Sequence, residues 1–165
     1  MMIGFDKGIY RFNYRVVGVA VHDNSILLHQ GEGDDFWILP GGRAEFGESA
    51  EETLKREMRE EINTEVEVGR LLWFVENFFT YAEKRYHEIA LYFFMRLPPT
   101  SEYLIRSGPF QGKEEEGTTL IFQWVPRERD VLSSLPLLPS FLQSAVLKLP
   151  ESVEHIVHED SYVKK

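Results

Sequence analysis

The chain has 165 residues, of which 43% are hydrophobic and 13% aromatic, enough for one globular domain with a substantial core. Its net charge of −9 disfavours tight binding to long nucleic acid, which normally needs a basic surface, but leaves room for a nucleotide whose phosphates are reached through divalent cations. The absence of cysteine excludes disulfides, thiolate metal ligands and a cysteine nucleophile.

No segment has the apolar length of a signal-peptide core or of a membrane span, and the longest apolar runs, such as residues 89–95, are far too short. The default expectation is therefore a cytoplasmic protein. Without repeats or low-complexity tracts, residues 1–165 are expected to form a single domain, with residues 1–13 and 151–165 as peripheral segments.

The first part of the chain predicts three strands. Residues 15–21 are almost wholly apolar and rich in β-branched residues, which indicates a buried central strand. Turn-forming residues separate it from residues 26–30, so the two segments predict a hairpin. Residues 36–39 predict a short strand that ends at Pro40 and a Gly-Gly pair.

A helix is predicted over residues 50–62. Ser49 and Glu52 have the spacing of a capping box, which places the N-cap at Ser49. Asn63 is expected at the end of the helix, because asparagine tolerates the left-handed conformation that helix ends require.

The middle of the chain predicts two long strands and a loop. Residues 66–81 predict a strand with an irregularity at residues 76–77, and residues 85–97 predict a second strand after a turn. Residues 98–117 show little periodicity and predict a long loop, which in a compact domain is usually functional or mobile.

The last part of the chain predicts a core strand at residues 120–125 and a second helix. That helix is expected to begin at Pro139 or Ser140 and to end near Leu149. Strands before and after a helix, with another helix late in the chain, indicate an α/β fold with a mixed central sheet between helices.

The helix at residues 50–62 concentrates carboxylates beside its apolar stripe. At 100° per residue, one sector contains the apolar residues Ala50, Leu54, Met58 and Ile62. Glu57 and Glu61 lie at its edge and Glu60 just beyond, away from the solvent face. Like charges three and four residues apart repel. One carboxyl must therefore keep its proton, or a cation must neutralise the cluster.

Only oxygen ligands are offered by this cluster, which favours a hard cation such as Mg²⁺. The alternative interpretation is a solvated surface helix with ordinary ion pairs, since glutamate and lysine are good helix formers. The helix taken alone leaves both interpretations open.

The wider spacing resembles the box of the Nudix (MutT-like) family, G-x5-E-x7-R-E-U-x-E-E-x-G-U, where U is a bulky aliphatic residue. The matching residues are Gly42, Glu48, Arg56, Glu57, Met58, Glu60 and Glu61. Asn63 and Thr64 depart from the last two positions. The first is a mild change because asparagine also adopts the left-handed conformation, and the second is expected to weaken a packing contact.

This resemblance implies an α/β/α sandwich that hydrolyses a nucleoside diphosphate linked to a group X, with Mg²⁺ or Mn²⁺ as cofactor. By similarity, Glu57 and Glu61 are metal ligands, followed by Glu60 and the carbonyl oxygen of Gly41. Glu48 is expected to orient the cluster or to bind metal through water. Arg56 is expected to fix the direction of a carboxylate, with a solvated helix arginine as the alternative.

The resemblance implies that cations bridge the pyrophosphate oxygens while a carboxylate takes a proton from the attacking water. That base is not fixed within the family. A box glutamate, the loop residues Glu114, Glu115 and Glu116, or Glu88 are candidates for it or for a further ligand. The alternatives are a solvated acidic loop and an outward-facing strand residue.

Aromatic side chains are the candidates for contacts with the substrate. Phe36, Trp37, Phe79 and Tyr81 are of the type that stacks on a base, although each is also a typical core residue. The resemblance leaves the substrate open among oxidised nucleoside triphosphates, ADP-ribose, nucleotide sugars and dinucleoside polyphosphates.

Three other functions are compatible with the same fold. An isomerase of the isopentenyl diphosphate type uses a cysteine, which this chain lacks. A non-catalytic nucleotide-metabolite sensor usually loses box glutamates, which are all present here. Pyrophosphate removal from the 5′ end of RNA is disfavoured by the charge of −9. Homodimers are common in such folds, and no sequence feature here demonstrates one.

Overall fold

A mixed β-sheet of nine strands forms the centre of the computed structural model, which describes residues 1–161. The strands are β1 (Gly4–Lys7), β2 (Tyr10–His22), β3 (Ser25–Gly31), β4 (Gly41–Arg43), β5 (Glu67–Tyr81), β6 (Lys84–Arg96), β7 (Phe110–Lys113), β8 (Thr119–Pro126) and β9 (Glu154–Glu159). Their main order is β7-β8-β3-β2-β6-β5-β9, with β1 and β4 also paired to β2. The β2–β6 and β5–β9 pairs are parallel and the others antiparallel.

Helices cover both faces of this sheet. Helix α1 (Ala50–Ile62) packs on one face, and the short helices α2 (Arg129–Ser134) and α3 (Leu142–Ala145) pack on the other. Successive side chains of β2 point to opposite faces of the sheet, so this strand contributes to the hydrophobic core on each face. Val16 packs towards α1, and Val17 packs towards α2 and α3. The α/β fold with a mixed sheet between helices is confirmed.

The local predictions for α1 and the first hairpin are confirmed. Ser49 accepts a hydrogen bond from the Glu52 backbone N–H and the Glu52 side chain bonds back, which forms the capping box. Asn63 ends the helix in the left-handed conformation, with φ of 49°. Strands β2 and β3 form the expected antiparallel hairpin.

Two strand predictions were wrong in detail. Residues 36–39 form no strand and make only isolated bridges, one from Trp37 to Leu137 and one from Ile38 to His29. Strand β5 is regular at residues 76–77, and its irregularities fall between Val68 and Trp73 instead. The ladder with β6 continues through Glu76 and Asn77, which pair with Ile89 and Glu88.

The predictions for the second half of the chain also need correction. Residues 98–117 are not a continuous loop, since they contain a 3₁₀ turn (Glu102–Leu104) and strand β7. The predicted helix at residues 139–149 is reduced to α3, while α2 precedes it.

The segments expected to be peripheral are partly built into the sheet. Strand β1 pairs with β2, and β9 pairs with β5 over six residues. Residues 162–165 of the predicted C-terminal segment lie outside the described residues. Among residues 1–161, no helix has both the length and the apolar character needed to cross a membrane.

Candidate active site

The Gly41-Gly42 pair brings the backbone of β4 close to β2 and α1. A Cβ atom on Gly42 would lie 2.1 Å from the Glu57 carboxyl carbon. A Cβ atom on Gly41 would lie 2.1 Å from the Val16 carbonyl oxygen, and its φ of 151° is one that other residues rarely adopt. Gly42 therefore makes room for the Glu57 carboxyl, and Gly41 allows β4 to approach β2 closely.

Helix α1 presents two buried carboxylates at the margin of its apolar stripe. Leu54, Met58 and Ile62 are buried against the sheet. Glu57 and Glu61 are only 8% and 7% exposed. Glu60 was also expected away from the solvent face, but its side chain is 39% exposed, because the next helical position turns about 100° away from Glu61.

Arg56 joins the carboxylates of this site. Its guanidinium donates two hydrogen bonds to Glu48, at 2.6 and 3.0 Å. It also bonds Glu57 at 2.8 Å, Glu60 at 3.2 Å and the carbonyl of Arg43 at 3.1 Å. The forked donors of arginine suit such multiple acceptors. Arg56 therefore fixes the direction of three carboxylates.

Glu48 is held in the loop before α1 as a charged group. It accepts hydrogen bonds from Arg56, from the Thr53 hydroxyl and from the Glu45 backbone N–H. The Arg56 hydrogen bond is the main reason that its pKa is lowered to about 2. Its oxygens are committed to orienting contacts within residues 45–56.

Burial raises the pKa of the two helix carboxylates, Glu57 and Glu61, in contrast to the lowered pKa of Glu48. Desolvation raises the pKa of Glu57, although hydrogen bonding and charge from Arg56 partly oppose it. Desolvation, followed by repulsion from Glu57, raises the pKa of Glu61 well above its ordinary value. Oε2 of Glu61 is buried without a hydrogen-bond partner in the described part of the chain. The site therefore has too little positive charge for its acids.

A cavity of about 150 Å³ lies over these carboxylates, and we call it the carboxylate cavity. It is lined by residues from the N-terminal segment, β2, β4, helix α1 and the loop after β7, namely Met2, Arg15, Gly41, Gly42, Arg43, Glu57, Glu60, Glu61, Glu114, Glu115 and Glu116. The structure thus brings the three loop glutamates next to the box. Glu88 does not line this cavity.

A second cavity of about 260 Å³ adjoins the first, and we call it the aromatic pocket. Phe36, Phe79 and Tyr81, three of the candidates for contact with the substrate, line it together with Tyr86 and Tyr92. Trp37 does not line it and packs against the core under α2 and α3 instead. Glu88 belongs to this pocket.

Arg15 connects the two cavities and was missed by the sequence analysis. Arg15 and Glu114 line both of them. The Arg15 guanidinium donates to the carbonyl oxygen of Gly41 at 3.2 Å. Its charge partly opposes the rise that desolvation causes in the pKa values of Glu57 and Glu61. The available signal was a charged residue at the start of an otherwise apolar strand.

The oxygen donors of the carboxylate cavity fit a divalent cation. The unpartnered Glu61 oxygen and the raised pKa values of both buried glutamates show that the site lacks a positive charge. Within residues 1–161, however, no three His, Asp or Glu side chains are already arranged to hold an ion. Arg56 bonds one oxygen each of Glu57 and Glu60, Oε1 and Oε2 respectively, which leaves the other oxygen of each carboxylate for a cation.

His29 lies buried near this site, and its titration is expected to make the stability of the protein depend on pH. It stacks on Phe122 at 5.1 Å, and desolvation lowers its pKa from 6.5 to about 3. Between these values the unfolded chain binds a proton that the folded chain does not, so stability is present above pH 6.5 and is lost as the pH falls. The expected loss is about 1.4 kcal/mol per pH unit.

The substitution His29→Leu should therefore make the unfolding free energy less dependent on pH between pH 7 and pH 5. Urea unfolding at pH 7 and at pH 5 measures this, and the fall in unfolding free energy between them should shrink by about 2 kcal/mol in the variant. An equal fall in both proteins would show that His29 is protonated in the folded state.

Comparison with known proteins places these features in a family. The family model described as the NUDIX domain matches residues 13–135. The protein YjhB of Bacillus subtilis (strain 168), named as a proposed ADP-ribose pyrophosphatase, is 37% identical over 67 residues. That match covers 41% of this chain and 32% of YjhB, so the chain spans about a third of that curated relative.

Solved structures show the same fold at lower identity. A MutT protein from Bacillus halodurans superimposes with a TM-score of 0.57 at 22% identity, covering 92% of this chain and 90% of that one. An ADP-ribose pyrophosphatase from Streptococcus suis gives 0.55 at 19%, covering 88% and 98%. A UDP-X diphosphatase gives 0.56 at 24%, covering 87% and 66%. The matched family model spans most of the sheet and the whole box, and the chain therefore belongs to the Nudix family.

Proposed function

We propose that this chain hydrolyses a pyrophosphate bond in a small molecule made of a nucleoside diphosphate linked to a group X, releasing a nucleoside monophosphate and phosphorylated X. The observation that carries the proposal is the junction of the carboxylate cavity with the aromatic pocket at Arg15 and Glu114. One compartment offers ligands for cations and the other offers rings for an organic group, so a pyrophosphate could bridge them. The names of YjhB and of the S. suis neighbour support this class of substrate.

Within this proposal, Glu57 and Glu61 are the principal ligands of Mg²⁺ or Mn²⁺, joined by Glu60 and the Gly41 carbonyl. When bound, the cations screen the pyrophosphate charge and activate a water. Arg56 and Glu48 orient the ligands, since their hydrogen bonds connect the loop to α1. Arg15, at the junction, is placed to donate hydrogen bonds to a phosphate oxygen.

A carboxylate of this site accepts the proton of the attacking water. The candidates are a box glutamate and Glu114, Glu115 or Glu116, all of which line the carboxylate cavity. Glu88 lies in the other pocket, which makes it a weaker candidate for the base. A cytoplasmic location and a homodimer stay predictions.

Divalent cations should raise the melting temperature of the protein. Binding only to the folded chain adds RT ln(1 + [L]/Kd), which at ten times Kd amounts to about 1.4 kcal/mol, or about 3–6 °C for a chain of this size. Thermal scans with and without Mg²⁺ or Mn²⁺ measure the shift, and Glu61→Gln should reduce it. No shift and no calorimetric heat up to millimolar metal would mean that the carboxylates are simply solvated.

A panel of nucleotide substrates with identification of the products tests the proposed function. Nucleoside triphosphates, nucleotide sugars, ADP-ribose and dinucleoside polyphosphates should be incubated with Mg²⁺ and separated by chromatography. The proposal expects a nucleoside monophosphate and phosphorylated X from at least one class. If the protein binds these compounds and turns none of them over, the sensor function is the better interpretation.

A further inference from the structure

Three polar side chains form a row across the floor of the aromatic pocket. Asn13 in β2 lies opposite Glu88 in β6, and Glu88 lies opposite Asn77 in β5. Paired positions on neighbouring strands share one face of the sheet. All three residues line the pocket, and they are only 7%, 6% and 4% exposed, respectively. We call these three residues the polar row.

The polar row contains acceptor atoms that have no hydrogen-bond donor in the described part of the chain. Asn77 Nδ2 donates a long hydrogen bond of 3.5 Å to Glu88 Oε1. The Oδ1 atoms of Asn13 and Asn77 are buried, and within residues 1–161 neither has a hydrogen-bond partner. A buried acceptor left unpaired costs about 1–3 kcal/mol. The natural way to offset this cost in a cavity is a molecule that brings N–H or O–H donors.

Aromatic rings lie beside the polar row on the same face. Two residues along each strand, Tyr86 in β6 pairs with Phe79 in β5, and their rings stack with centroids 4.6 Å apart. Tyr81 adds an edge contact to Tyr86. An occupant of the pocket therefore meets ring surfaces and the polar row side by side on one face of the sheet, the combination by which proteins hold polyhydroxylated or heterocyclic groups.

The charges of the aromatic pocket disfavour an anionic occupant. Its lining includes the acids Asp34, Glu88, Glu114 and Asp160, and within residues 1–161 Arg15 is the one basic residue of that lining. Arg15 lies at the junction with the carboxylate cavity, where the proposed pyrophosphate would take its charge. A further phosphate or carboxylate deep in the pocket would face carboxylates in a poorly hydrated space, and repulsion grows as the dielectric falls.

We propose that the polar row determines specificity, binding N–H or O–H donors of a neutral or cationic group of the substrate and rejecting a group that carries an additional anion. This inference rests on the proposed function, because it assigns the pocket to one end of the same pyrophosphate substrate. The hydroxyls of a sugar supply the required donors. They belong either to the ribose of the nucleoside or to a sugar in group X.

Matched substrates distinguish the two ends. At the X end, a nucleoside diphosphate glucose is compared with its 2-deoxyglucose and glucuronate counterparts. At the nucleoside end, the ribose is replaced by 2′-deoxyribose or by 2′-phosphoribose. We expect that at one end both replacements raise KM about tenfold or more, the size expected for loss of a hydrogen bond to a charged or buried group, while kcat changes little.

Two variants then connect that loss to the polar row. Asn77→Leu removes an acceptor, and Glu88→Gln removes the acid with little change of shape. Each should raise KM for the parent substrate about tenfold. Asn77→Leu should also shrink the penalty for the deoxy replacement towards onefold, because the acceptor is already missing. Glu88→Gln keeps an acceptor oxygen but removes a charge, so it should shrink the penalty for the anionic replacement. Glu88→Gln alone carries the test if Asn77→Leu does not fold.

Glu76→Gln is the matched control. Glu76 precedes Asn77 in β5, faces the other way and bonds His155, so the variant should retain the parental KM and the parental discrimination. If the penalties at both ends are the same in Glu88→Gln as in the parent protein, the inference is overturned.

Calorimetric binding of an α,β-methylene nucleoside diphosphate glucose separates this inference from the proposed function. An analogue that binds the parent protein and loses affinity in Glu88→Gln, while no natural counterpart is hydrolysed, would contradict the proposed hydrolysis and support the polar row. Hydrolysis with unchanged affinity and selectivity in both variants would support the proposed function and contradict the polar row.

Discussion

Replacement of Glu61 by glutamine is expected to lower kcat by about 10²–10⁴-fold, the range typical of a residue that holds or activates the reacting water. Glu61 is 7% exposed, and its Oε2 atom lies buried without a partner. Glutamine has nearly the same shape, so the packing of α1 should persist. Because the raised pKa of Glu61 marks a destabilising buried acid, the variant should be at least as stable as the parent without metal.

Steady-state kinetics with the best substrate of the panel measures this effect, and circular dichroism checks the fold. The matched control is Glu51→Gln in the first turn of the same helix, where Glu51 is exposed and pairs with Lys55. Its kcat should stay within about twofold of the parent, as is usual for a surface substitution. Full activity of Glu61→Gln with Mg²⁺ would contradict the role of the box in hydrolysis.

Replacement of Arg56 by methionine is expected to lower the unfolding free energy by about 2–3 kcal/mol in the absence of divalent metal. The side chain is 18% exposed and bonds Glu48, Glu57 and Glu60. Its removal leaves these carboxylates close together without a counter-charge. Breaking a partly buried ion pair in this way is destabilising, because the remaining charges stay desolvated and uncompensated. Methionine keeps much of the aliphatic contact, so the loss reports mainly on charge.

Urea unfolding in a chelating buffer measures this loss. Arg59→Met is the control, because Arg59 lies three residues further along α1, is 54% exposed and pairs with the exposed Glu65. That exposed ion pair should contribute at most about 1 kcal/mol. Equal losses in the two variants would mean that the Arg56 network has no special role in holding the site together.

The box could be predicted from the sequence because its determinants are local. The capping box at Ser49 and the left-handed residue Asn63 set the ends of α1 from within a few residues. The position of Glu57 and Glu61 beside the buried stripe follows from helical periodicity alone. Local rules of this kind do not depend on the rest of the fold.

The parts that the sequence could not predict depend on distant pairing. Strand β9 exists because it pairs with β5, some eighty residues earlier in the chain, and its own residues are largely exposed. The opposite error occurred at residues 36–39, whose apolar character indicated a strand. The segment makes one isolated bridge to His29 and one to Leu137. It crosses from one partner to the other and does not pair along either of them, so no strand forms.

Register explains why the polar row was also invisible in the sequence. Asn13 lies far from Asn77 and Glu88 along the chain, and the sequence indicated Glu88 only as a possible base or ligand and Asn77 only as part of a strand irregularity. Only the parallel pairing of β2 with β6 and the antiparallel pairing of β6 with β5 align them. The same is true of Arg15, which meets Glu57 and Glu61 only because β4 and α1 fold over β2.

Hydrolysis in ¹⁸O-labelled water, followed by mass spectrometry of both products, tests the central claim that water attacks phosphorus of a pyrophosphate held between the carboxylate cavity and the aromatic pocket. The expected result is one ¹⁸O atom in the phosphoryl group of either the nucleoside monophosphate or phosphorylated X, and loss of this product in Glu61→Gln. Label in a carbon-bound hydroxyl of X, with an intact nucleoside diphosphate as the other product, would contradict the account.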